Sequence, residues 1–181
     1  MLTSGERDEL CALLERSRGL ALAAFARISA AQWRFRRSAE AWSVGEIVEH
    51  IAVSETVVYE TLQQVLAGPP APERKAEAAG KDRLIIVGVP RRRIAVEAPP
   101  AMRPAARYAG PEEAAAAFSA ARGRTLDFVR ATTADLRSYF AHHPTMQWLD
   151  GYQWLLLAAV HTERHLAQLD QWAKAPDYPH A

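Results

Sequence analysis

Three histidines in helical settings carry the chemistry for which this sequence can be read. His161 and His165 stand four apart in His161-Thr162-Glu163-Arg164-His165-Leu166-Ala167-Gln168, and His50 closes the segment Trp42-Ser43-Val44-Gly45-Glu46-Ile47-Val48-Glu49-His50. Side chains four apart on a helix lie about 40° apart around its axis, so both imidazoles of the pair can point at one ion. A third imidazole from another helix completes a facial set of neutral nitrogen donors. Such a set holds a divalent transition metal and leaves positions open, which suits a catalytic site and not a closed structural one.

The elements that must position these histidines are four long helical segments. The first is expected from about residue 3 to 30, opening on the capping pattern Thr3-Ser4-Gly5-Glu6 and carrying Leu10, Leu13, Leu14, Ala21, Phe25 and Ile28 at helical intervals. The second, about 43–67, starts with Ser43 as cap and Glu46 reaching back, and stops at Gly68-Pro69-Pro70. The third, about 111–131, has Pro111 at its first position followed by Glu112 and Glu113. The fourth, about 150–173, points Trp154, Leu157, Ala158, His161, His165, Gln168, Leu169 and Trp172 inward. Between the second and third lies a connector, 69–110, broken by Pro69, Pro70, Pro72, Pro90, Pro99, Pro100 and Pro104. Its apolar run Leu84-Ile85-Ile86-Val87 fits either a strand or one buried helical turn. A connector of this length is expected to pack outside the helices or across one end.

At about 100° per residue, His161 and His165 fall in the middle of the fourth segment's apolar stripe, and His50 falls on the flank of the second's. A lone histidine on an apolar face is more often a hydrogen-bonded core residue than a ligand, and the spacing of the pair alone leaves both readings open. The metalloprotease pattern His-Glu-x-x-His is absent, because the glutamate, Glu163, follows His161 by two positions and lies about 200° around the helix from it. Glu163 is therefore read as solvated or as facing another subunit. Arg164 and Gln168 are better placed to flank the site, Arg164 as an anion partner or a tie between helices. Glu46 is assigned to capping. His142 and His143 are read as loop residues at the pocket rim, and Trp42, Trp148, Tyr152 and Trp154 as packing aromatics. Cys11 stands among Leu10, Leu13 and Leu14 and is read as a core residue, not a nucleophile.

Composition bounds the partners. The 181 residues suit one domain, and the 22 basic and 21 acidic side chains leave a net charge of +1, too little to recruit nucleic acid. Trp154 to Val160, the longest strongly apolar run, is far short of the roughly 20 residues that cross a bilayer. One cysteine excludes an internal disulfide framework. The expectation is a soluble cytoplasmic protein with no nucleic-acid or membrane partner.

The paired motifs Trp42-Ser43-x-x-Glu46-x-x-x-His50 and His161-x-x-Arg164-His165-x-x-Gln168 resemble the DinB/YfiT superfamily of metal-binding four-helix bundles. The resemblance extends over nearly the whole chain, including His143-Pro144 and Gly151-Tyr152-Gln153-Trp154-Leu155. It implies an all-α, up-down-down-up four-helix bundle with the long connector between helices two and three. It implies that His50, His161 and His165 bind a divalent metal, zinc or nickel. Relatives include transferases and isomerases that use low-molecular-weight thiols, and others resemble hydrolases. The expectation is a metal-dependent thiol transferase on a small-molecule substrate, with a hydrolase or a non-enzymatic metal-binding protein as alternatives, assembled as a homodimer. No functional residue transfers onto the connector, whose Arg91-Arg92-Arg93 run has no counterpart in the motifs.

Overall fold

The computed structural model describes residues 1–91 and 96–180, so Arg92 and Arg93 lie outside the described residues. The helices are α1 (Ser4–Phe25), α2 (Ala30–Arg34), α3 (Val44–Leu66), the short α4 (Lys75–Ala78), α5 (Lys81–Arg83) and α6 (Val89–Arg91), then α7 (Pro111–Ala131) and α8 (Gly151–Trp172). Thr3, Ser43 and Asp150 each begin a long helix with a reciprocal capping box, closed by Glu6, Glu46 and Gln153 respectively. Each box satisfies backbone N–H groups that the first turn leaves without helical partners.

The first segment does not run on to residue 30. It ends at Phe25, and Ser29 then caps α2 through a second box with Gln32. The signal Ser29-Ala30-Ala31-Gln32 had the same form as the boxes read correctly elsewhere, but the apolar spacing through Ile28 masked it. Trp33 on α2 packs so closely over Gly45 that a Cβ there would stand 2.5 Å from the indole.

His142 and His143 lie in a β-hairpin and not in a loop. β1 (Phe140–His143) pairs antiparallel with β2 (Gln147–Asp150), from Phe140 opposite Asp150 to His143 opposite Gln147. Leu84–Gly88 forms a π-helical turn, not a strand, with Ile85 fully buried. The connector is consequently folded onto the bundle, its central turns packing along α8. Glu163 lies at the surface, where its partly exposed carboxylate accepts from Arg16 of α1 at 2.7 Å.

The long helices form an up-down-down-up bundle in which α1 packs on α7 and α8, and α3 packs on the same two. α1 and α3 are therefore diagonal, as are α7 and α8, and the connector is what returns the chain so that α7 can run parallel to α3. The apolar interior divides in two. One half gathers Leu10, Leu14, Val58, Leu62, Leu126 and Leu155, and the other Phe25, Val44, Ile47, Phe118, Leu169 and Trp172.

Between the halves lies a polar belt. Arg122 of α7 is 0% exposed, and its guanidinium donates to Glu55 of α3 at 2.8 Å, to Ser17 and the Leu14 carbonyl of α1 at 2.6 and 2.9 Å, and to the Ala158 carbonyl and Thr162 of α8 at 3.2 and 3.1 Å. Thr125 donates to the second oxygen of Glu55 at 2.7 Å. All four long helices thus contribute to one buried ion pair.

Removing one partner strands the other charge away from water. Glu55→Ala should destabilise the fold by about 3–5 kcal/mol in chemical denaturation. The apolar double variant Glu55→Leu with Arg122→Met should recover most of that loss.

Candidate metal centre

The three histidines converge from two antiparallel helices. Leu62 near the end of α3 meets Gly151 at the start of α8, and this pairing brings the early part of α3 beside the later part of α8. His50 and His165 are 4% and 8% exposed, and His161 is half-buried. His161 Nε2 lies 3.3 Å from His50 Nε2 and 3.1 Å from His165 Nε2. Two nitrogens held roughly 2.0–2.1 Å from a tetrahedral ion stand about 3.3 Å apart, so the spacing is one that could hold a metal ion.

Hydrogen bonds on the far side of two rings fix which nitrogen faces the cluster. His50 Nδ1 donates to the Met102 carbonyl at 2.8 Å, with Ser54 Oγ at 3.4 Å, and His165 Nδ1 donates to Gln168 Oε1 at 2.9 Å. A neutral imidazole that donates from Nδ1 presents a lone pair at Nε2. Two such lone pairs are aimed at a third imidazole nitrogen; one N–H of a neutral His161 can satisfy one of them, whereas a shared cation satisfies all three nitrogens at once. The donor set fits a divalent transition ion. Burial pushes the His50 imidazole below its usual 6.5, against a smaller upward pull from the Met102 bond, so the ring is kept in the neutral, ligating form.

The cluster forms one wall of a cavity of about 140 Å3. Trp42, Val58, Met102, Met146, Trp154 and Leu157 supply much of its apolar lining. The ring of Trp42 lies 5.0 Å from that of His50, so this aromatic packs on the site itself. Arg164 borders the cavity, as the sequence places it, whereas Gln168 acts on the cluster through His165. His143 borders the cavity too, with Nδ1 accepting the Thr145 and Met146 backbone N–H groups at 3.2 Å each, while His142 turns to Gln147. Glu46 keeps its capping role and also pairs with Arg36 at 2.8 Å.

Sequence reasoning missed the Met102 carbonyl, for which no side-chain pattern exists. It also passed over Glu55, although a carboxylate one turn from Ile51 and close to Val58 on an apolar stripe is itself a signal. Cys11 is half-buried against the core, and burial raises its thiol above the usual value, which disfavours the thiolate.

A family model described as the DinB superfamily matches residues 13–169. The chain belongs to the DinB superfamily. Among solved structures it is similar to YfiT from Bacillus subtilis, described as "a probable metal-dependent hydrolase with an unusual four-helix bundle topology". The two share 16% identity with a TM-score of 0.65, over 96% of this chain and 89% of the other. At that identity the likeness shows the DinB-type fold. No curated protein gives a significant match.

His50→Ala, His161→Ala and His165→Ala should each sharply lower the occupancy of one divalent ion per chain, read by elemental analysis of untagged protein. Affinity should fall as pH drops from about 6 to 5, because protonated imidazoles cannot ligate. In the absence of metal, the contribution of neutral His50 to stability is complete above 6.5 and is lost as pH falls through its lower folded value. Denaturation midpoints of wild type and His50→Gln should therefore converge on acidification.

Proposed function

We propose that the chain is a divalent-metal-dependent enzyme acting on a small molecule with an apolar group, and that hydrolysis of an amide or ester is its reaction. The observation that carries the proposal is the convergence of three imidazole Nε2 atoms on the wall of a partly open, largely apolar cavity. The published description of YfiT as a probable metal-dependent hydrolase supports the same reaction class. An ion held by His50, His161 and His165, zinc or nickel by donor type, would supply a Lewis acid that polarises an electrophile and lowers the pKa of water or a thiol.

The chain's own residues bind and orient. Trp42, Trp154, Leu157 and Met102 exclude water and receive the apolar part of the substrate, and the flexible Met102 and Met146 adapt to its shape. Glu55 borders the cavity but is engaged by Arg122 and Thr125 on both oxygens, so it is a structural anion and not a general base. Met102 and Gln168 hold two of the imidazoles in the ligating tautomer. Arg164 on the cavity wall is the group placed to meet an anionic substituent of the substrate.

Thiol transfer is the second reading, in which a low-molecular-weight thiol replaces water as nucleophile. It is favoured by the make-up of the cavity's edge, where the connector residues Glu97, Ala98 and Pro99 and the hairpin residues Pro144 and Thr145 border the same space and give a second substrate a route to the cluster. In either reading the enzyme is proposed to work as a two-fold homodimer.

Turnover should be metal-dependent on small aromatic or aliphatic esters and amides, lost in His161→Ala and retained in Cys11→Ser. Consumption of a thiol across a panel of electrophiles, with no hydrolysis of activated esters, would replace the first reading by the second. Loss of activity in metal-loaded Cys11→Ser would overturn both.

A further inference from the structure

Glu49 stands one residue before His50, is 3% exposed, and finds its hydrogen-bond partners on the connector. Its Oε1 accepts from the Ala105 backbone N–H and from the Arg107 guanidinium, both at 2.7 Å, and its Oε2 accepts from the Arg107 backbone N–H at 3.3 Å. Between those two N–H groups lies Ala106 with φ at 56°, left-handed backbone that a residue with a Cβ rarely adopts. This conformation turns two alternate N–H groups toward one anion, making an anion-binding nest that a side chain of the same protein fills.

The nest is three to five residues from a contact with the metal centre. The Met102 carbonyl accepts from His50 Nδ1 at 2.8 Å, and Arg107 also donates to the Arg103 carbonyl at 2.9 Å, tying the ends of the segment together. Glu49 and His50 point about 100° apart around α3, so the segment wraps the helix and is fastened at both directions. A buried carboxylate and a strained residue are thereby committed to holding a piece of irregular chain against a histidine.

We propose that Glu49 is a positioning residue that latches the connector to α3, so that the Met102 carbonyl fixes His50 as the Nδ1–H tautomer with Nε2 turned toward His161 and His165. The consequence for metal affinity rests on the three-histidine reading given above, whereas the latch itself rests on contacts within the chain. Coupling is reciprocal: an ion that needs the Nε2 lone pair favours the latched connector, and the latched connector favours the ion.

Nitrogen-15 NMR of the full chain labelled at histidine reads the His50 tautomer, cleavage by chymotrypsin after Tyr108 reads the connector, and zinc titration reads the site. In Glu49→Gln an amide N–H2 must face N–H donors, so the Nδ1–H tautomer should lose its dominance and cleavage should accelerate. Zinc affinity should fall about tenfold or more. Ala106→Val leaves Glu49 in place and strains only the nest, and it should reproduce these effects, while Ala106→Gly, which accepts that φ, should not. Helical circular dichroism checks that each variant is folded. Should Glu49→Gln fail to fold, Ala106→Val and Arg107→Ala decide the matter.

Folded Glu49→Gln and Ala106→Val with wild-type tautomer and wild-type cleavage would overturn the latch. If wild type binds no zinc while tautomer and cleavage respond as expected, the metal reading fails and the latch stands. If zinc binds wild type and all variants alike with the tautomer unchanged, the latch fails and the metal reading stands.

Discussion

A guanidinium with no access to water must be matched where it lies, and the bundle is arranged around that requirement. Arg122 reaches α1, α3 and α8 from α7 through five acceptors on five residues. Apolar packing tolerates sliding and rotation of helices by small amounts, whereas a network of directional bonds around a buried charge does not. The belt therefore fixes the register of the four helices relative to one another. Thr162, one of its members, directly follows His161, and Glu55 lies five residues after His50. The register that satisfies the arginine is the same register that brings His50 and His165 to within 3.3 Å of His161.

The bundle alone does not finish the site. One face of His50 is governed by Met102, which belongs to the connector, and the mouth of the cavity is shaped by connector and hairpin together. Rigid helices give the histidines their positions, and irregular chain gives them orientation, cover and shape for a ligand. This division matches the general tendency of regular elements to scaffold and of loops to confer specificity.

Much of this was written in local patterns. Ser43 with Glu46, Pro111 and the glycine and proline stops marked the long helices after the first to within a residue or two, because helix ends depend on chemistry close in sequence, and the box at Asp150 is a further start signal that the sequence reading did not use. The convergence of His50 with His161 and His165 was legible through the paired motifs, since spacing on one helix cannot say what the other presents. The break after Phe25 was hidden because the apolar stripe continued in phase beyond it. The hairpin was hidden because four-residue strands with polar tips have no clear period, and the second strand opens on Gln147 at a left-handed φ of 61° that sequence does not advertise. The Glu49 nest was illegible for a deeper reason: its donors are backbone groups, and their direction is set by Ala106, whose residue type favours an ordinary helix.

The diagonal placement of α1 and α3 bears on how the chain comes to be folded. In a bundle whose successive helices are neighbours, each hairpin can form as soon as it is made, and contacts are local. Here α1 packs on α7 and α8, and α3 packs on the same pair, so the stripe of Leu10 and Leu14 has no principal partner until the chain beyond Gly110 exists. Native contacts are shifted to long sequence separations, which slows folding relative to other helical bundles of this size and leaves the first two long helices with uncovered apolar faces during synthesis. The packing of α3 on α8 that frames the cavity is thus obtained at the cost of a late, nearly simultaneous assembly of the whole bundle.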